Sequence, residues 1–408
     1  MKQKPGRRLF YGYIVVAAAF LCMLVMWGAY YSFAVFFKSL LAEFGWSRAA
    51  TSAAFSMASI LIGLGSIVTG RLTDRIGPKK VATACGVVLG LAFLLLSTVN
   101  SLWQLYLYYA LVGIDVSGAF VPMASTIARW FVKRRGMMTG VTVAGLGVGT
   151  LVMPPLATWL ISLFDWRNTY IIIGVTSLVL IVAAARLLKR DPKEMGLVPF
   201  GEDASDNAGY SLANGFTLQE AMATRQFWML SWIYVFYCLG LGAVLAHIVL
   251  YGIDVGASPN QAAVILSFVG ALSTTGRIVL GITGDRIGYK RTIAFGFALM
   301  SASLFWLLLA KDLWAFYLFA VVFGFSYGGL AALFSPFIAE QFGLKSHGII
   351  LGVFMIASQI GEAIGPVVTG YVFDVRGSYF VAFLIWAVLA TVGLVMVLML
   401  TRPEKKAV

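Results

Sequence analysis

Long apolar segments separated by short polar turns follow one another along almost the whole chain. Taking about 20 apolar residues as one membrane crossing, we count twelve, at approximately 10–38, 47–70, 81–99, 103–130, 137–163, 168–188, 227–252, 261–284, 292–310, 313–340, 347–373 and 378–400. The pattern predicts an all-α polytopic membrane protein with twelve transmembrane helices.

One long polar stretch, at residues 189–225, interrupts this pattern and carries the acidic, asparagine and glycine residues typical of a linker. It divides the predicted helices into six and six. We therefore predict an N-terminal six-helix bundle at 1–188, a cytoplasmic linker at 189–225 and a C-terminal six-helix bundle at 226–408.

Composition agrees with a membrane protein, since 60% of the residues are hydrophobic, 12% are charged and the mean hydropathy is +0.90. A net charge of +13 would suggest nucleic acid as the partner of a soluble protein, but here the basic residues lie in short loops. If both termini are cytoplasmic, 24 of the 30 lysines and arginines face the cytoplasm, five face the other side and Arg277 lies within a crossing. We therefore expect a multi-pass protein of the bacterial inner membrane with both termini cytoplasmic, the lipid bilayer as its surroundings and no nucleic-acid partner.

The sequence offers little for enzymatic chemistry. The first apolar run is too long for a cleaved signal peptide, so we interpret it as a transmembrane helix. Cys22, Cys85 and Cys238 all lie in apolar segments, and no metal-ligand spacing or nucleotide-binding loop is present. We expect no metal, no cofactor and no enzyme, and we expect a monomer to be the functional unit.

The two halves repeat each other. The segment Gly70-Arg-Leu-Thr-Asp-Arg-Ile-Gly-Pro-Lys-Lys80 recurs as Gly281-Ile-Thr-Gly-Asp-Arg-Ile-Gly-Tyr-Lys-Arg291 at an offset of 211 residues. Further matches at offsets of 209 to 212 join the fourth helix to the tenth, the fifth to the eleventh, and the loops that follow the fifth and eleventh. Two similar bundles in the same orientation are typical of transporters, whose substrate site lies at mid-membrane between the repeats.

The repeated loops resemble the signature loops of the major facilitator superfamily. Other stretches resemble its monocarboxylate transporter and oxalate/formate exchanger branch, and in particular bacterial monocarboxylate (lactate) transporters: Phe33-Ala-Val-Phe-Phe37, Glu43-Phe-Gly-Trp-Ser-Arg48, Arg129-Trp-Phe, Asp191-Pro-Lys-Glu-Met-Gly-Leu197 and the eighth-helix Arg277. The resemblance covers nearly the whole chain. It implies a twelve-helix fold and secondary active transport.

Arg277 is the main candidate for substrate binding. It lies eight residues before Asp285, hence ~12 Å from the cytoplasmic end of its helix, near the membrane centre. A permanent charge costs roughly 2.5–3.5 kcal/mol there. It could serve only packing, through an ion pair, but a guanidinium also binds a carboxylate with two parallel hydrogen bonds. We favour the second interpretation.

Four titratable residues within the crossings or at the outer end of one are candidates for proton coupling: Asp254, His247, Asp115 and Glu362. Asp254 and His247 are seven residues apart on one face of the seventh helix. We expect Asp254 to pair with Arg277 when ionised and to release it when protonated, and histidine as a residue type suits a proton relay at position 247. A structural role is at least as strongly expected for Asp115 and Glu362.

Three further side chains complete the predicted substrate site: Tyr31, Tyr327 and Ser358. The tyrosines have apolar bodies to wall a small pocket and hydroxyls to reach a substrate, although aromatic residues at helical spacing more often only pack. In the repeated loops, Asp74, Arg75, Asp285 and Arg286 are expected to form cytoplasmic ion pairs and helix-end contacts that hold one conformation.

The chain also departs from its relatives. Where the resemblance implies a first-helix lysine and an eighth-helix aspartate, this sequence has Tyr31 and Ser273, and the eleventh helix lacks the second cation of oxalate exchangers. A dicarboxylate in a low-dielectric site needs two compensating charges, whereas one arginine balances a monocarboxylate. We therefore expect proton-coupled symport of a small monocarboxylate such as lactate or pyruvate, with a proton-independent carboxylate exchanger as the alternative.

Overall fold

The computed structural model describes residues 10–201 and 215–403, and these are almost entirely helical. The α-helices are α1 Tyr11–Tyr31, α2 Phe33–Phe44, α3 Arg48–Ile76, α4 Pro78–Leu96, α5 Leu102–Trp130, α6 Arg135–Leu187, α7 Leu218–Met222, α8 Arg225–Asp254, α9 Pro259–Ile287, α10 Tyr289–Leu309, α11 Leu313–Phe342, α12 His347–Arg376 and α13 Phe380–Met399. A short 3₁₀ helix, Pro192–Met195, follows α6.

Eleven of the described helical segments are long and apolar enough to cross a membrane. The prediction of twelve crossings agrees with this number because α6 supplies two. It contains 53 residues, about 80 Å at 1.5 Å per residue, against a hydrocarbon core of ~30 Å. Its helical path breaks at Asp165, whose φ is +67° and whose carboxylate accepts the backbone N–H groups of Arg167 and Asn168 at 2.7 and 3.0 Å. The sixth crossing therefore begins at a capped N-terminus, with no loop before it.

The first predicted crossing is divided at Ser32, which lies between α1 and α2. The Ser32 hydroxyl donates to the carbonyl of Ala29 at 2.6 Å, one turn back. Tyr31 is consequently the last residue of α1, at the joint between the two helices.

The helices pack in the same order in each half. In the N-terminal half α1 packs on α6 and α3 packs on α5, and in the C-terminal half α8 packs on α12 and α9 packs on α11. The halves meet through two matched pairs, α3 with α12 and α6 with α9. The architecture is that of two six-helix bundles related by the sequence repeat.

Small residues permit this contact between the halves. A Cβ atom placed on Gly70 would lie 2.3 Å from the carbonyl oxygen of Gly348, and one placed on Gly348 would lie 2.6 Å from that of Gly70. Both positions must therefore stay without a side chain for α3 and α12 to approach so closely.

The two ends of the linker dock on equivalent turns. Phe200 donates to the carbonyl of Trp130 at 2.9 Å and accepts from Val132 and Lys133, just after α5. Phe216 donates to the carbonyl of Phe342 at 2.8 Å, at the end of α11. Each end of the linker is thus held at the turn that leads into a helix of the interface between the halves.

Candidate functional site

Arg277 lies inside the protein, with 2% of its surface exposed. Its Nη1 donates to the hydroxyl of Ser273 at 3.3 Å, and its Cζ lies 5.8 Å from the ring centroid of Tyr327. Its buried Nε–H has no hydrogen-bond acceptor in the described part of the chain. Because an unsatisfied buried donor is costly, this guanidinium is suited to receive an anion.

The same arginine lies against the other half. A Cβ atom on Gly140 of α6 would be 2.1 Å from the carbonyl oxygen of Arg277, and one on Gly147 would be 2.6 Å from its Nη1. The cation therefore belongs to the contact surface between α9 and α6.

Tyrosines from three helices surround this cation. Tyr31 of α1 interacts electrostatically with Arg277 and Tyr327, and Tyr31 and Tyr327 are both partly exposed. The hydroxyl of Tyr237 on α8 donates to the carbonyl of Tyr327 at 2.9 Å. Tyr237 was not predicted from the sequence, because an aromatic residue in an apolar helix carries no signal that separates it from ordinary packing.

Helix α12 contributes Ser358 and Glu362, one turn apart. The thiol of Cys238 on α8 donates to the Ser358 hydroxyl at 3.3 Å, and the Ser358 side chain interacts electrostatically with Glu362. Glu362 in turn interacts with Tyr30 and Tyr31 of the other half. The structure thus brings five predicted residues together between the two bundles: Arg277, Tyr31, Tyr327, Ser358 and Glu362.

Asp254 does not join them. It is the exposed last residue of α8, and Tyr379 is among the groups that interact with it electrostatically. Helix α9 begins five residues later, and Arg277 lies 18 residues along it, hence ~27 Å away along the helix axis. The predicted Asp254–Arg277 ion pair is therefore not formed in this structure, because an arginine side chain cannot bridge that distance.

His247 has an anchoring geometry. Its Nε2 donates to the carbonyl of Pro366 at 3.0 Å, and its Nδ1 lies 3.3 Å from the hydroxyl of Tyr379. Both ring nitrogens are thus engaged within the C-terminal half. The ring therefore joins α8 to α12 and to the beginning of α13, and it does not reach Arg277 here.

Asp115 is enclosed within the N-terminal half. It is fully buried on α5, and neither carboxylate oxygen has a hydrogen-bond partner in the described residues. It interacts electrostatically with the thiols of Cys22 and Cys85. A charged carboxylate is expensive in such a place, so Asp115 is expected to be neutral.

The two repeated loops fasten the halves together. Asp74, at the end of α3, accepts the backbone N–H groups of Gly348 and Ile349 at 3.2 and 3.0 Å, at the beginning of α12. It also pairs with Arg129, which is 4% exposed. We call this arrangement the first latch.

The second latch is its counterpart in the repeat. Asp285, at the end of α9, accepts the N–H groups of Gly136 and Met137 at 2.7 and 2.8 Å, at the beginning of α6, and the hydroxyl of Tyr289 donates to it at 2.8 Å. Each carboxylate thus meets the positive end of a helix in the opposite half. Arg75 and Arg286 are exposed and form no ion pair within the described residues.

The site is closed on the side of the latches. Two turns from Arg277, towards the opposite face, Gly270 has no heavy atom within 4 Å of the position of a Cβ. Tyr31, Tyr327 and Glu362, which lie between the two bundles, are also partly exposed. From this exposure, and from the contacts between the halves at the latches, we infer a crevice that opens towards the face opposite the latches.

Comparison with known proteins agrees with this architecture. The sequence profile of the Major Facilitator Superfamily matches residues 19–282 and 251–408. In structure, the human organic anion transporter MFSD10 superimposes with a TM-score of 0.73 at 16% identity, covering 97% of this chain and all of the other.

Among curated proteins, the chain is 27% identical to monocarboxylate transporter 13 of Rattus norvegicus over 92% of its own length and 85% of the other. It is 25% identical to the oxalate:formate antiporter of Oxalobacter formigenes over 99% of its own length and 94% of the other. The resemblance predicted from the loops is confirmed: the chain belongs to the Major Facilitator Superfamily, a family of membrane transporters.

Proposed function

We propose that this protein carries a small monocarboxylate across the membrane together with a proton, by alternating access between the two bundles. The observation that carries the proposal is Arg277, a buried guanidinium with an unsatisfied donor at the seam between the halves. A carboxylate is the planar anion that a guanidinium binds with two parallel hydrogen bonds.

The charge of the site favours a substrate with one carboxylate. Between Ile350 and Tyr371, α12 contributes Glu362 and no lysine or arginine. A second carboxylate on the substrate would face this acid without a compensating cation. The relatives named for monocarboxylates and for oxalate and formate support the broader class of small carboxylates.

The neutral groups favour a hydroxylated substrate within that class. The phenol groups of Tyr31 and Tyr327 lie near Arg277, and the Ser358 hydroxyl lies on α12. Hydroxyl groups can donate to and accept from a 2-hydroxy acid such as lactate. Pyruvate, with a carbonyl at the same carbon, can only accept.

The transport cycle uses the two latches. In the present conformation they join the halves and the crevice opens to the other face. After the substrate binds, the crevice closes and both latches separate, so that the site is exposed on the latch side.

The test is uptake of labelled L-lactate into empty proteoliposomes with an inward proton gradient. We expect accumulation that a protonophore abolishes and that unlabelled pyruvate or acetate competes with. Arg277→Ala should reduce uptake to background, and the matched Arg277→Lys variant should recover little, because a lysine keeps the charge but loses the planar fork. Normal uptake by Arg277→Ala in correctly inserted protein would refute the role of Arg277.

A proton-independent exchanger is the second candidate, and the Oxalobacter relative named as an antiporter favours it. It predicts that labelled lactate enters only liposomes preloaded with an anion. Uptake that needs preloading and does not respond to the proton gradient would establish this alternative.

A further inference from the structure

Glu362 occupies a distinctive position relative to Arg277. It lies fifteen residues after the start of α12, and Arg277 lies ten residues before the end of α9; both of these helix ends are on the latch side. At 1.5 Å per residue the two charges are about 22 and 15 Å from that side. A solute that enters from the open face therefore meets Glu362 before it meets Arg277.

The groups that interact with Glu362 in the described part of the chain are uncharged side chains of α12, α8 and α1. Ser358 interacts with it from its own helix. Tyr234 and Cys238 face it from α8, and Tyr30 and Tyr31 face it from α1. The nearby cation is Arg277, which shares Tyr31 as a neighbour, and the two charges form no ion pair within the described chain. Glu362 can thus take up or release a proton without breaking a salt bridge.

Partial exposure distinguishes Glu362 from the other intramembrane acid at a comparable depth. Asp115 is fully buried inside the N-terminal bundle, whereas Glu362 is half-buried in the crevice. Asp254 is exposed but lies at the far end of α8. Of these three carboxyl groups, only Glu362 is both reachable from water and close to the substrate site.

We propose that Glu362 is the group that carries the coupled proton, an inference that rests on the proposed function. The charge of the site explains the coupling. With the anion on Arg277 and a proton on Glu362 the site is neutral, and with neither ligand it is neutral again, because Arg277 and ionised Glu362 balance. An anion alone leaves one negative charge and a proton alone leaves one positive charge. Moving such a net charge through the low-dielectric centre is unfavourable, so only the fully loaded and fully empty carriers change conformation readily.

Glu362→Gln tests this proposal, because glutamine imitates the permanently protonated state. The loaded variant remains neutral and should exchange internal for external lactate at a rate within about twofold of wild type. The empty variant keeps the uncompensated charge of Arg277 and should not return. For a gradient of about one pH unit, we expect the wild type to accumulate lactate about tenfold, and we expect the variant not to accumulate it.

A pH profile of exchange separates proton carrying from a purely structural role. Exchange by the wild type should rise as the pH falls, and exchange by Glu362→Gln should be independent of pH. Glu362→Asp should restore accumulation in part, and Asp254→Asn is the matched control that should accumulate lactate like the wild type.

Three results would overturn the proposal. Accumulation by Glu362→Gln at the wild-type level would remove Glu362 from the coupling. If Glu362→Gln lost both exchange and accumulation while eluting like the wild type on gel filtration, Glu362 would have a structural or binding role instead. If the wild type exchanged lactate but did not respond to the proton gradient, proton coupling and this inference would both be disproved. If the wild type transported no monocarboxylate, the proposed function itself would be refuted.

Discussion

The two latches occupy equivalent positions in the repeat and differ in one partner. Each joins a carboxylate to two backbone N–H groups at the beginning of a helix in the opposite half. In the first latch, Asp74 also pairs with the guanidinium of Arg129, whereas in the second the hydroxyl of Tyr289 donates to Asp285. The position equivalent to Arg129 in the second half, 211 residues later, is Glu340, which pairs with Arg402.

In the two latches, therefore, the contact across the interface is the same, whereas the side chain that holds the carboxylate within its own half differs. The bonds to the helix ends break when the halves separate, but the Arg129–Asp74 pair lies within one half and persists. We therefore expect the first latch to contribute more to folding and both latches to contribute similarly to closure.

The largest expected effect is that of Asp74→Asn on stability. It leaves the guanidinium of Arg129, which is 4% exposed, without its anionic partner, and removing one member of a buried pair costs roughly 3–5 kcal/mol. The apparent unfolding temperature in detergent should fall clearly. The double variant Asp74→Asn, Arg129→Gln should recover part of the loss, and an unchanged unfolding temperature for Asp74→Asn would contradict the comparison.

Asp285→Asn should have a smaller effect on stability and a clear effect on closure. The substitution weakens two charge-assisted hydrogen bonds to α6, which are worth about 1.5–3 kcal/mol each. The neutral amide is also a weaker acceptor for the hydroxyl of Tyr289.

Ser66, which is 1% exposed at the contact between α3 and α12, can report the separation of the two halves. In a protein with the three native cysteines replaced, Ser66→Cys should react with a membrane-impermeant maleimide at least about tenfold faster when Asp285→Asn weakens the second latch than when that latch is intact.

Tyr289→Phe sharpens the comparison further. It removes one hydrogen bond of 2.8 Å to Asp285, with an expected cost of about 1 kcal/mol. Labelling of the cysteine at position 66 should rise about fivefold. In the Asp285→Asn background the same change should add little; full additivity would mean that Tyr289 acts elsewhere.

The smallest effect is expected for Arg75→Gln and Arg286→Gln. Both arginines are exposed, and exposed substitutions usually change stability by less than about 0.5 kcal/mol. Neither the unfolding temperature nor the labelling rate should change measurably. A large effect on labelling would indicate that these side chains join the latches in another conformation.

The sequence predicted much of this arrangement because charges in apolar runs are rare. The repeat identified Asp74 and Asp285 as a related pair, and the isolated charge of Arg277 marked the site. The partners of the two acids were not predictable in the same way. Across the interface, these partners are backbone N–H groups up to 275 residues away, and such groups leave no signature in residue type.

The placement of Asp254 shows where helical periodicity is insufficient. The sequence placed Asp254 and His247 on one face of the seventh helix, and we expected Asp254 to pair with Arg277. Charges on neighbouring antiparallel helices can meet only when they lie at a similar depth in the membrane. Counting residues from the shared turn between α8 and α9 puts Arg277 18 residues further along α9. The interruption between α1 and α2 at Ser32, which makes Tyr31 the last residue of α1, likewise depends on local hydrogen bonding that the apolar pattern does not encode.

The contact of Arg277 with Gly140 and Gly147 has a consequence for how the carrier detects its cargo. In the proposed transport cycle, the cation that binds the anion is itself part of the contact surface between α9 and α6, so substrate binding would act directly on the surface where the two halves move. No relay through intervening side chains is required. The methyl group of Gly147→Ala would occupy space that the guanidinium now fills. This single carbon atom should therefore displace the Arg277 side chain and inhibit transport.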